Sequence, residues 1–227
     1  MDFKNLKITA HISNAVALIE PLRLDCILSA AKAKEIMQED YYTSCKQAGQ
    51  AELVIETLSK FLKYSNGIFH ASFGFFADDK EFSISYSKRW SGINDELVKF
   101  RGKGKQEIDT ARGEFKSYHN NLIYKTTDKI VFYACGDKKK ISQLLNGYIS
   151  FVGKKSSQGF GSVTKWTIEE IEEDYSFVKN GIPMRYIPLT LVEKLGIDSS
   201  SNQFYSKEVA LIPPSYRNNC RDICIYA

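Results

Sequence analysis

The sequence predicts an α+β fold: a ferredoxin-like (RRM-like) β-α-β-β-α-β core carrying an inserted basic arm. Three observations support this. Apolar-polar alternation at residues 6–12 and an apolar β-rich run at 129–135 mark strands, and each precedes a stretch with helical apolar spacing. Residues 88–121 are rich in cations and poor in apolar periodicity, so they contribute little to a core. A glycine-rich loop over residues 153–161 separates the last core helix from another alternating run.

Taken in order, Leu6-Lys7-Ile8-Thr9-Ala10-His11-Ile12 reads as a half-buried strand. Pro21-Leu22-Arg23-Leu24-Asp25 breaks the chain and begins a helix with Leu24, Ile27, Leu28, Ala31 and Ile36 inward. A second helical segment covers residues 47–63, with Leu53, Ile55, Leu58, Phe61 and Leu62 inward, and Asn66-Gly67 is expected to stop it. Residues 68–76 form an aromatic-rich strand. Asp78-Asp79 turns the chain, and Phe82-Ser83-Ile84-Ser85-Tyr86 returns as the partner of a hairpin. After the arm come a strand at 129–135 and a helix at 138–148 with Ile141, Leu144 and Leu145 inward. The loop and its exit strand, Val163 to Ile168, follow. These elements place a core domain at residues 1–174, with the arm at about 88–121 inserted. Residues 175–227 are an irregular extension on the same domain. It holds strand-like pieces at 184–187, 209–212 and 223–226, a short helix near 191–195, and four prolines that interrupt regular structure.

The loop Gly153-Lys154-Lys155-Ser156-Ser157-Gln158-Gly159-Phe160-Gly161 is the main candidate site. Its glycines allow positive φ and close approach of a ligand. Its lysines and successive N–H groups suit phosphates. The loop by itself fits a phosphate cradle and a plain glycine-rich connection equally. It lacks the Gly-Lys-Ser/Thr ending of a P-loop, and a strand follows it where the mononucleotide and dinucleotide motifs need a helix. A polymer backbone suits such a loop better than a single nucleotide.

Charge points the same way. The net charge is +4, but residues 86–166 hold sixteen Lys/Arg against seven Asp/Glu, while the rest of the chain is acidic. Such asymmetry is expected of a nucleic-acid-binding face and also of a lysine-rich solvated surface. Within the arm, Lys88, Arg89, Arg101, Lys103, Lys105, Arg112 and Lys116 alternate with Trp90, Phe100, Phe115 and Tyr118. Aromatic planes beside cations are what base stacking with backbone contact requires. Five cysteines without CxxC spacing predict reduced thiols and a cytoplasmic location. The chain has no apolar run long enough for a membrane span and no signal-peptide core at its start.

Val152-Gly153-Lys154, the short polar run and Gly159-Phe160-Gly161-Ser162-Val163 resemble the glycine-rich loop of the RAMP superfamily of CRISPR-associated proteins. Pro21-Leu22-Arg23-Leu24-Asp25-Cys26-Ile27-Leu28 looks like the first-helix start of the subunit that binds the 5′ handle of CRISPR RNA, and the arm looks like its thumb. The compact type IV form is the most similar branch. The resemblance spans most of residues 6–170 and implies a non-catalytic subunit that caps the 5′ handle of the guide RNA (crRNA). It also implies other effector subunits, backbone and large, as partners, with target DNA near the protospacer as a further partner such a subunit could meet. No cofactor and no metal are expected.

Two alternatives stand beside this. Some RAMP proteins are metal-independent endoribonucleases that process precursor CRISPR RNA. Such chemistry needs an acid, a base and a cation, for which His119 with Lys116 and Tyr118 is the candidate group. The other alternative is a general single-stranded-RNA-binding scaffold.

Overall fold

The computed structural model describes residues 3–18, 20–42, 51–78, 80–97, 108–198, 204–214 and 220–227. β1 (Lys4–Ile12) buries Leu6, Ile8, Ala10 and Ile12 and turns Lys7, Thr9 and His11 to the other side, as a period of two requires. β2 (Val16–Ala17) and α1 (Leu24–Met37) follow, with Leu24, Leu28 and Ala31 of α1 fully buried. α2 (Ala51–Leu58) is shorter than the 47–63 pattern predicted. The chain turns at residues 59–61, and residues 43–50 lie outside the described set. Asn66-Gly67 is not a helix stop. β3 (Tyr64–Ser65) and β4 (Ile68–Phe69) pair across it, with φ of 52° and 80° at the two central residues. Two successive positive φ values are what Asn-Gly supplies to a tight hairpin.

The continuous strand expected at 68–76 is broken. β5 is only Phe75–Phe76, while Ala71 and Phe73 make isolated bridges to Ala134 and Arg23. The cause is divergent hydrogen bonding: the N–H groups of Ser72, Phe73 and Gly74 donate to Tyr133, Met184 and Leu22 respectively. β6 (Lys80–Lys88) does not return along that strand either. It pairs with β7 (Tyr118–Thr126) from Lys80↔Thr126 to Lys88↔Tyr118. Two nine-residue strands complete each other's ladder, whereas β5 offers two positions and both face the next strand, β8 (Lys129–Gly136). β2 joins the other edge of β7.

α3 (Lys138–Tyr148) is capped by Asp137, whose carboxylate accepts from Lys140 N–H at 3.0 Å, and buries Ile141, Leu144 and Leu145. β9 (Val163–Glu170) follows the loop. The tail forms a small hairpin, β10 (Val178–Lys179) with β11 (Ile182–Pro183). It then contributes β12 (Ile187–Pro188), α4 (Leu189–Val192), β13 (Tyr205–Ala210) and β14 (Arg221–Tyr226).

The chain is thus α+β, with mostly antiparallel sheets and few helices. The central sheet has the order β5-β8-β1-β9, and each neighbouring pair is antiparallel. The tail sheet has the order β12-β14-β13. One apolar cluster joins Leu6, Phe132 and Leu144 to Ile187, Leu191 and Ile225 of the tail. Among the described residues no helix is long and apolar enough to cross a membrane. Cys26, Cys135, Cys220 and Cys224 carry thiols rather than disulfides, and burial pushes the Cys224 thiol up to about 12.

A buried ionic clasp fastens the tail. Arg23 and Arg185 converge on Asp25, with Nη2 to Oδ2 distances of 2.8 and 3.2 Å, and all three side chains are almost fully buried. Arg23 also donates to the carbonyls of Ala210 and Leu211 (2.6 and 2.7 Å), and Arg185 to those of Phe69 and Ala71. Burial alone would push the Asp25 carboxyl up, but the two guanidiniums outweigh it and hold the carboxyl below its usual range.

Candidate nucleic-acid interface

The glycine loop is closed at its base by a Val152 N–H bond to Gly161 O (2.8 Å) and a bridge between Phe151 and Ser162. A Cβ on Gly161 would lie 1.8 Å from Val152 O, and one on Gly153 would lie 2.6 Å from Ala17 O. Both positions also have positive φ, so glycine is required there twice over. The segment before β2 supports the loop from below. Lys154 N–H donates to Ala17 O and Gly161 N–H to Ala15 O (2.9 and 2.8 Å). Asn14 clamps the return: its amide donates to Gly159 O and its Oδ1 accepts from Ser162 N–H at 2.9 Å. At the apex, Gln158 N–H and Phe160 N–H both turn back to Lys155 O, and Gly159 N–H to Ser156 O.

Most backbone donors of the loop are therefore bonded within the protein. Those bonds do not use the N–H groups of Gly153, Lys155, Ser156 and Ser157, so the apex presents backbone donors beside its side chains. Lys154, Ser156, Ser157 and Gln158 are exposed, and Lys155 is half-buried.

Lys155 is half-buried because its Nζ lies 4.9 Å above the ring of Tyr86. Phe160 makes the second contact, with its ring 5.8 Å from that of Tyr124. Both partners belong to the β6–β7 hairpin. The register sets Phe82 opposite Tyr124, Ile84 opposite Leu122 and Lys88 opposite Tyr118, so these residues and Tyr86 share one face. Phe82 stacks on Tyr124 at 5.6 Å, and Tyr86 meets Tyr118 edge-on at 6.0 Å. Phe82, Ile84 and Tyr118 remain 44%, 51% and 40% exposed. The loop apex thus continues into an aromatic strip that ends at Lys88. Asn14, Tyr86 and Tyr124 are contributors that the sequence reading missed. The alternation of Phe82, Ile84 and Tyr86 with serines was the available signal for the strip, while nothing local marked Asn14.

The arm has a different outline from the one expected at 88–121. Its stem is the whole β6–β7 hairpin, and residues 89–97 and 108–117 extend beyond it. Lys88 Nζ donates to Glu114 O at 2.6 Å, and Trp90 packs edge-on against Phe115 at 5.0 Å, which fastens the two sides of the tip together. Arg89, Arg112 and Lys116 are exposed. Asp109 Oδ1 holds the turn that carries Arg112 by accepting from the N–H groups of Ala111 and Arg112. Arg101, Lys103 and Lys105, with Phe100, lie outside the described residues.

The endoribonuclease candidates are not brought together. Tyr118 and His119 are consecutive on β7, opposite Lys88 and Ser87, so their side chains leave on opposite faces of the hairpin. Lys116 lies before the strand begins.

His70 is buried and acts as a latch. Its Nε2 lies 2.7 Å from Ser65 Oγ and its Nδ1 2.8 Å from Asp174 Oδ2, so it ties the β3–β4 hairpin to the start of the tail. Burial pushes the Asp174 carboxyl up, but hydrogen bonds from His70 and Ser176 prevail and bring it down to about 2. The folded value lies below the ordinary 3.8, so the latch stabilises fully above about pH 4 and is lost as the pH falls toward about 2. Thermal melts of Asp174→Asn between about pH 5 and pH 2 should fall less steeply than those of the wild type. Parallel profiles would assign the acid sensitivity to other carboxylates.

A family model for the CRISPR type IV associated protein Csf3 matches residues 4–203. The chain belongs to this family. The matched span reaches from β1 past α4, so it takes in the hairpin, the loop and part of the tail as well as the central sheet. The resemblance read from the loop and the Pro21–Leu28 segment therefore holds at the level of the type IV branch. This Csf3 family member is a CRISPR-associated protein, and other components of a CRISPR complex are its implied partners. No curated protein matches the chain at a significant level.

Proposed function

We propose that this Csf3 family member is a non-catalytic RNA-binding subunit of a CRISPR effector complex, and that it caps the 5′ handle of the guide RNA. The observation that carries this reading is the docking of the glycine loop on the β6–β7 hairpin through Lys155–Tyr86 and Phe160–Tyr124. That contact makes one surface of Lys154, the loop hydroxyls, Tyr86, Phe82, Tyr118 and Lys88. Cations and hydroxyls suit the phosphates of a single strand, and the partly exposed rings suit its unstacked bases.

The strand order β5-β8-β1-β9, with α1 and α3 on the two connections, supports a ferredoxin-like core over residues 1–174. The clasp on Asp25 supports residues 175–227 as an extension of the same unit. The separation of His119 from Tyr118 favours this reading over an endoribonuclease.

Single-strand binding loses about 0.7 unit of salt slope per phosphate contact. Lys154→Ala combined with Lys155→Ala should therefore weaken handle RNA binding at least about tenfold and lower the slope by about 1.4. An unchanged slope would count against the loop, and equal affinity for a scrambled handle would favour a general single-strand binder.

A further inference from the structure

The central sheet has two faces, and among the described residues helices pack one of them. Leu6, Ile8, Ala10 and Ile12 of β1 point into the core beneath α1 and α3, whereas Lys7, Thr9 and His11 point to the opposite side and stay half-buried. The registers extend those three positions into rows across the sheet. His11 lies between Lys129 of β8 and Lys165 of β9. Thr9 lies between Val131 and Thr167, and Val131 in turn pairs with Phe75 of β5. Phe75 and Tyr133 sit diagonally on neighbouring strands, with ring centroids 6.5 Å apart. A cationic row thus runs beside a row that ends in an aromatic platform.

The charge of this face is positive. Lys129 and Lys165 are exposed, and Glu169, which belongs to the row of Lys7, lies 3.8 Å from the Lys7 ammonium. Among the described residues, the chain leaving β9 packs on the Tyr133 end of the face, where Tyr175 meets Tyr133 edge-on at 5.5 Å. There Lys179 Nζ sits 5.1 Å from the Tyr133 ring centroid and adds a further cation.

We propose that this uncovered face is a second single-stranded RNA contact, separate from the glycine loop and the hairpin strip. Lys129 and Lys165 meet backbone phosphates on either side of His11, and a base lies against Phe75 at the edge of Tyr133. The combination of exposed cations with partly exposed rings on a flat sheet matches single-strand chemistry and suits an apolar protein partner poorly. The inference rests on the RNA-binding reading above and adds a separate site to it.

The test uses the full chain and a fluorescently labelled single-stranded RNA of about twelve nucleotides, titrated at several salt concentrations. Lys129→Glu with Lys165→Glu should weaken binding at least about tenfold and lower the salt slope by about 1.4 even though the loop lysines are intact. Phe75→Leu, which keeps an apolar side chain at the platform, should weaken binding by a smaller factor. Ultraviolet cross-linking with peptide mapping should place RNA on the peptides that contain Phe75 or Tyr133. Thermal melts matching the wild type would show that the variants fold. If wild-type protein binds and the Lys154/Lys155 variant loses affinity while the face variants bind normally and no face peptide cross-links, the second site is overturned and the loop reading stands. If wild-type protein binds no RNA at all, both fail.

Discussion

Asp25→Asn is expected to destabilise the protein by about 3–5 kcal/mol, the range for breaking a buried ion pair from one side. The substitution keeps the shape but removes the charge that neutralises two guanidiniums. Arg23 and Arg185 would then be buried, with only backbone carbonyls and a neutral amide to face. For a chain of this size each kcal/mol moves the midpoint by about 2–4 °C, so a fall of roughly 10 °C should appear in a thermal melt. Arg185→Met provides the contrast. It leaves Arg23 and Asp25 as a balanced pair, so its loss should be smaller, although the carbonyls of Phe69 and Ala71 lose their donor. If Asp25→Asn melted within a degree or two of the wild type, the clasp would contribute little to fastening the tail.

Gly161→Ala is expected to disrupt the loop, with a stability loss above about 3 kcal/mol and a parallel loss of RNA affinity. The added Cβ would meet Val152 O at 1.8 Å, far inside contact, and Val152 is the residue whose N–H bond to Gly161 closes the loop. Neither backbone atom can move without opening that base. A left-handed φ adds about 1–2 kcal/mol for a residue with a Cβ. Gly159→Ala separates the two causes. It has φ +89 but open space around the added atom, so it should show only the smaller conformational loss. Urea denaturation of the two variants side by side decides the matter, and equal losses would refute the steric argument.

Local patterns read well where one side of an element is buried in a single core. The alternation of β1, the apolar spacing of α3 and the run of β8 each survive into the structure, as does that of α1 up to Ala31, because burial against the core imposes the same period that the sequence displays; Ile36, expected inward, is 63% exposed near the end of α1. The loop was legible for a related reason. Its three glycines within nine residues mark a sharply turning segment, and two of them, Gly153 and Gly161, do take positive φ against close backbone neighbours.

The choice of partner was not legible. Residues 82–86 read as a strand, but nothing within them distinguished residues 68–76 from residues 118–126 as the neighbour. Ladder length settled it, since β7 offered nine positions and β5 two. Asn66-Gly67 looked the same as a helix end and as a hairpin turn until β3 and β4 closed across it. His119 and Tyr118 looked like one cluster because they are adjacent in sequence, which on a strand guarantees opposite faces.

By itself, the sequence determined the α+β class, the two core helices, the basic middle of the chain and a glycine- and lysine-rich loop before the last strand of the central sheet. The tertiary structure decided which strands pair, which of the loop's amides bond within the protein, that Arg23 and Asp25 meet Arg185 far along the chain, and that among the described residues helices pack one face of the central sheet. The first set depends on periodicity and composition within a few turns of chain. The second depends on which segments meet in space, including residues more than a hundred positions apart such as Asn14 with Ser162 and Asp25 with Arg185, which no local pattern encodes.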